Sequence, residues 1–190
     1  HTATTGPEKK LGIDAEVVDL CGSVLNVAGA EKTHQVQDQH LKKNKIPLLF
    51  MSDIVYGFKT IYPIPLGLGA TWDPKLIEKD YQNTADEAKA SGNQVAFAPM
   101  VDLVRDARWG RVLESTGEDP LLNSQYASAM VRGFQHDFDA THGIAACVKH
   151  FAAYGAVESG KEYNSVNMSE RELRQNYLPS YKAAVDAGTK

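Results

Sequence analysis

The sequence predicts an α/β protein built on a parallel sheet. Three features predict it: four apolar runs that read as buried strands, helical patterns between them, and connections that are long after the second, third and fourth strands but short on the return from helix to strand. The runs are GSVLNV (22–27), IPLLFM (46–51), QVAFAPM (94–100) and IAACVKH (144–150). None alternates cleanly between apolar and polar residues, so both faces of the sheet are expected to be covered.

The helices follow in order. The first spans about Glu31 to Lys43. The second, Pro74 to Ser91, starts at Asp73-Pro74, a side-chain cap followed by a proline whose missing N–H costs nothing there. The third, Pro120 to Gln135, starts the same way at Asp119-Pro120. It sets Leu122, Tyr126, Ala129, Met130 and Phe134 on one face. The fourth, Glu170 to Ala187, opens on a Ser169/Glu172 capping box, and Gly92 and Gly188 sit where helices end. The resulting β-α-β-α-β-α-β-α order suits a doubly wound open sheet or part of a (β/α)8 barrel, since a whole barrel needs roughly 250 residues and eight units.

Composition narrows the function. The chain has 190 residues and a net charge of -4, ordinary for one soluble domain with a real core. It offers no clustered basic patch for nucleic acid and no apolar stretch of the ~18 residues a membrane span needs. Residues 1–16 are polar, with no signal peptide, and read as a loop or an expression remnant; the preferred location is the cytoplasm. Cys21 and Cys147 read as buried thiols rather than a disulfide. The remaining histidines lack metal-ligand spacing, GLGAT (67–71) lacks the lysine of a phosphate loop, and there is no Gly-x-Ser-x-Gly elbow. Neither a cofactor nor a metal is expected.

The long loops follow the C-terminal ends of the strands, where parallel α/β folds place their sites. Asp53, Asp102, Lys149 and His150 lie at those ends, and RDARWGRVLESTGEDP supplies Arg105, Asp106, Arg108, Arg111, Glu114, Glu118 and Asp119. Asp119 is simplest as a helix cap, Asp106 and Arg108 as partners of each other, and Asp102 as a tie for its loop. Trp72 and Trp109 suit either core or the face of a sugar ring. Asp53, Arg111, Lys149 and His150 resist such readings. One carboxylate among several donors suits a polyhydroxylated ligand, because every hydroxyl both donates and accepts. Lys149 and His150 are adjacent, and successive strand residues point to opposite faces, so the strand must end or distort there if both reach one pocket.

Several segments together resemble a known family. KHFAAYG (149–155), FAPMVDLVRDARWGR (97–111), RWGRVLESTGEDP (108–120) and IPLLFMSDIVYGFKTIYPIPLGLGATWDP (46–74) are similar to the N-terminal barrel domain of glycoside hydrolase family 3. Residues 155–188 are similar to its β-glucosidase branch. The resemblance implies a partial (β/α)8 barrel, roughly its first four βα units, over residues 17–190. It implies that Asp53, Arg111, Lys149 and His150 bind the sugar in subsite -1. It further implies that the parent protein cleaves a terminal β-linked glucose or similar sugar with retention. The family's nucleophile and acid/base belong downstream of Lys190, so no catalytic residue is expected in this chain, which alone would be inactive. Tyr56 replaces a histidine common in the family, altering the pocket rim, and Ala107 replaces a usual proline. KHFAAYG argues against the N-acetylglucosaminidase branch, which reads Lys-His-Phe-Pro-Gly-His-Gly. The expected partners are a β-glucoside or oligosaccharide, and the remainder of the barrel or a second copy to cover the open edges. The alternative is a non-catalytic half-barrel that holds a sugar without cleaving it. A flavodoxin-like domain would need the phosphate loop that is missing.

Overall fold

A computed structural model describes residues 2–4 and 19–190. Five parallel strands form one sheet: β1 (Thr2–Thr4), β2 (Ser23–Leu25), β3 (Leu49–Ser52), β4 (Val95–Ala96) and β5 (Ala145–Ala146). Their spatial order equals their chain order. That decides between the two architectures the sequence left open. A doubly wound sheet reverses its strand order at a switch point, whereas a barrel wall adds each strand beside the last.

β1 corrects the reading as loop or remnant for Thr2–Thr4 alone, which pair in parallel with Ser23–Leu25; the rest of residues 1–16 lies outside the described residues. A polar strand of three residues carries no apolar signal to be read. The other strands are shorter than their apolar runs. The ladder between β4 and β5 stops at Ala96 and Ala146, and three residues of the β5 chain then face four of the β4 chain before pairing returns. It resumes in a single bridge between Met100 and Lys149, with Lys149 N–H donating to Pro99 O at 3.0 Å and Val101 N–H to Lys149 O at 2.9 Å.

The helices are α1 (Ala30–Leu41), α2 (Pro65–Gly69), α3 (Pro74–Ala90), α4 (Pro120–Phe134), α5 (Glu170–Glu172) and α6 (Leu178–Asp186). The caps act as the sequence indicates. Asp73 accepts from the N–H groups of Lys75 and Leu76, Asp119 from Leu122, and Ser169 from Glu172. α2 is an addition that five residues of mostly small or apolar character did not announce. Between α5 and α6 the helix widens into a π turn (Leu173–Tyr177). Pro179 lacks the N–H that would bond Gln175 O and its ring crowds that carbonyl, so the wider turn accommodates it.

α3, α4 and α6 cover one face of the sheet. Ile77, Tyr81, Phe134, Met130 and Tyr181 pack there on Ala96 and Ala146. α3 and α4 approach closely because Gly133 has no side chain: a Cβ there would lie 2.6 Å from that of Tyr81 and 2.7 Å from Glu78 O. Tyr81 and Phe134 meet edge to face, ring centres 4.8 Å apart. On the opposite face Leu25, Met51, Val95 and Ala145 stand in one row across four strands, and all four are only half-buried. One face is therefore packed and the other open, where coverage of both faces was expected. Cys21 is buried and Cys147 half-buried, with no disulfide between them.

Candidate active site

The loops after β3, β4 and β5 meet at one end of the sheet. Asp53 directly follows β3 and opens the first loop. That loop is held by Tyr81, whose hydroxyl donates to Val55 O at 2.8 Å. Glu87 on α3 holds it as well, accepting from Lys59 N (2.9 Å), Thr60 N (2.8 Å) and Thr60 Oγ1 (2.5 Å). The Thr60 hydrogen bonds push the Glu87 carboxyl below its ordinary value of 4.5. A depressed carboxylate stabilises the fold above its unfolded value, and that contribution is lost as pH falls through the folded one. Hydrogen exchange of residues 55–62 is therefore expected to rise several-fold in Glu87→Ala at neutral pH, and to rise in the wild type only below about pH 4.5. Unchanged exchange in the variant would show that the loop needs no such clamp.

In the second loop Asp106 and Arg108 pair with each other at 2.6 Å, and Arg108 holds the Asp106 carboxyl down to about 2. Trp109 next to them is core: it is buried, and its Nε1–H donates to Glu162 Oε2 at 2.8 Å. Trp72 lies exposed on the surface. Arg111 ends this turn and faces inward. Glu114, one short 3-10 turn later, accepts from Arg111 Nε and Nη2 at 2.7 Å each. This two-point grip raises the guanidinium above its ordinary value, so Arg111 carries its charge at any working pH.

The third loop answers the geometric question about Lys149 and His150. β5 ends at Ala146, the last bridge falls at Lys149, and by His150 the chain has left the ladder. Lys149 Nζ donates to Asp53 Oδ1 at 2.6 Å, while His150 Nε2 lies 3.2 Å from Arg111 Nη1. The two side chains thus reach the two ends of one cluster. Behind it, Gly155 lies against the second loop: a Cβ there would sit 2.0 Å from Leu103 O, so only glycine lets the loops close up.

Asp53, Arg111 and Lys149 line a cleft of about 550 Å³ with Tyr56, Phe58, Ile61, Leu113 and Glu114. His150 touches it through Arg111. The structure thus brings Asp53, Arg111 and Lys149 to one cleft, with His150 beside Arg111. Arg111 has five N–H bonds, of which three go to Glu114 and His150, leaving two for a ligand. Lys149 spends one of its three on Asp53. Tyr56 stands at the rim, as its departure from the family pattern suggested.

Sequence reasoning placed Asp102 and Glu114 near the strand ends but read Asp102 as a loop tie, gave Glu114 no role, and did not single out Glu162 or Tyr181. Asp102 is buried in the loop that follows β4; its Oδ2 lies 2.8 Å from His150 Nδ1 and 3.0 Å from His150 N. A lone acid inside the apolar stretch FAPMVDLV was the available signal, since aspartate is almost never buried without a partner. Among the described residues no group of three or more His, Cys, Asp or Glu could hold a metal ion, and no helix is long and apolar enough to cross a membrane.

The model of the glycosyl hydrolase family 3 N-terminal domain matches residues 14–190, and the chain belongs to that family. A periplasmic beta-glucosidase of Salmonella typhimurium is 43% identical over 171 residues, 88% of this chain and 22% of that protein. A beta-xylosidase of Formosa agariphila is 43% identical over 135 residues, 68% of this chain and 18% of that protein. The beta-glucosidase of Listeria innocua, solved in complex with glucose, superposes with a TM-score of 0.93 at 50% identity, covering 98% of this chain and 27% of that one. Its complex with isofagomine gives 0.94 at 49%, covering 100% and 28%. The chain thus spans between 18% and 28% of the length of these relatives, which are glycoside hydrolases, and its fold is part of their barrel domain.

Proposed function

We propose that this chain forms one wall of the glycone pocket of a β-glucosidase that works with retention. The convergence of Asp53–Lys149 and Arg111–His150 at one cleft beyond the strand ends carries this reading. The cleft pairs an exposed acceptor, Asp53, with spare charged donors on Lys149 and Arg111, which is what a ring of hydroxyls requires. The glucose complex of the Listeria relative supports glucose as the sugar. Retention needs a nucleophile and an acid/base about 5–5.5 Å apart, and both are expected downstream of Lys190. The 190 residues alone would then bind without cleaving. The open row of Leu25, Met51, Val95 and Ala145 supports a remaining barrel, or a second copy, packed against it. The name of the Salmonella relative favours a location outside the cytoplasm, against the preference drawn from the N-terminus.

The full-length protein is expected to release glucose from an aryl β-glucoside, with the β anomer appearing first by proton NMR. The α anomer first, or no glucose, would overturn the reading. Asp53→Asn, which weakens the acceptor and frees Lys149, is expected to lower kcat/KM about 100-fold in the same assay. A loss under threefold would place the sugar elsewhere.

A further inference from the structure

We infer that Asp102, backed by the Tyr181 hydroxyl, is a positioning residue that fixes the tautomer of His150 and thereby the orientation of Arg111 in the cleft. The inference deepens the sugar-pocket reading and rests on it for its functional consequence.

The argument begins with what each atom can do. A carboxylate only accepts, so the 2.8 Å contact between Asp102 Oδ2 and His150 Nδ1 requires the proton on Nδ1. A guanidinium only donates, so the 3.2 Å contact from Arg111 Nη1 requires a bare Nε2. Both ends select the same form, the neutral Nδ1–H imidazole. The opposite tautomer would set two donors face to face at Nε2 and two acceptors face to face at Nδ1.

Asp102 is equipped for that task. Its side chain is 0% exposed, so its charge must be met by hydrogen bonds. Oδ2 takes both the backbone N–H and the ring N–H of His150, which fixes the ring relative to its own main chain. Oδ1 lies 3.2 Å from the hydroxyl of Tyr181, which also reaches His150 O. Tyr181 comes from α6, so that helix clamps the residue that holds Arg111. Burial, reinforced by Asp102 beside it, pushes the Tyr181 phenol far above its usual value, and the hydroxyl keeps its proton as a donor. From the ring the constraint passes to Arg111, which His150 and Glu114 hold from two sides.

Histidine-selective 15N labelling of the full-length protein tests this, with His150 assigned by its disappearance in His150→Gln. The expected spectrum shows the Nδ1–H form for His150. Asp102→Asn can keep its amide oxygen at the Oδ2 position and is expected to retain that form, with glucose affinity lowered no more than about tenfold. Asp102→Ala is expected to lose the single form and to weaken glucose binding about 100-fold, by analogy with the loss when a partner that orients a metal-bound histidine is removed. Tyr181→Phe, which leaves the ring packing in place, is expected to keep the tautomer and cost less than Asp102→Ala. An Nε2–H form in the wild type overturns the inference even if Asp102→Ala fails to fold. So does an unchanged tautomer in a folded Asp102→Ala. A wild type that binds no glucose yet shows the Nδ1–H form would defeat the sugar-pocket reading instead, leaving the assignment of Asp102 standing.

Discussion

Arg111→Met in the full-length protein is expected to lower the affinity for glucose at least about 100-fold by calorimetric titration. Arg111 offers its two unspent N–H groups to the cleft, and each charge-assisted hydrogen bond contributes ~1.5–3 kcal/mol. Losing two such bonds corresponds to roughly 3–6 kcal/mol, which is a factor of 100 or more. Methionine keeps much of the volume but leaves Glu114 without its partner. Arg111→Lys is not a mild replacement, because an ammonium cannot grip Glu114 at two points and also reach His150. Arg108→Ala is the control: Arg108 is exposed and spends its guanidinium on Asp106. Its affinity is expected to stay within about twofold of wild type, since exposed pairs contribute little. Equal losses in the two variants would remove Arg111 from the pocket.

Trp109→Ala is expected to cost about 3–5 kcal/mol of stability, the range for removing a buried indole. Trp109 packs with Met100 and Val157, meets Tyr154 edge to face at 5.4 Å, and donates to Glu162. It therefore joins the loop that carries Arg111 to the loop that carries His150. Urea unfolding followed by circular dichroism measures the change. Trp72→Ala, at an exposed position, is expected to stay within about 0.5 kcal/mol of wild type. A small effect at Trp109 would mean that the two loops hold their positions without it.

Helix starts were legible because their physics is local: an Asp or Ser cap acts on N–H groups two or three residues away, and Asp73, Asp119 and Ser169 all do so. Strand lengths were not, because the ladder depends on a neighbour far along the chain. The register between β4 and β5 slips by one residue after Ala96 and Ala146, which ends both strands there, and β1 carries no apolar pattern at all. The candidate site was legible in membership but not in pairing. Position after a strand end singled out Asp53, Arg111, Lys149 and His150, yet Lys149 meets an aspartate 96 residues away, which no spacing rule can announce. Asp102 was visible as a strand-end acid, and its work on His150 emerges only with the fold. The motif resemblance supplied the barrel, and the strand order agrees with it.

The most direct test of the pocket is a crystal structure of the full-length protein soaked with glucose. The expected result is one sugar in the cleft, with hydroxyl oxygens within hydrogen-bond distance of Asp53, Lys149 and Arg111 and the His150–Asp102 contact intact. Glucose bound elsewhere, or a sugar in the cleft that touches none of Asp53, Lys149 and Arg111, would contradict the assignment of this chain as the wall that holds the sugar.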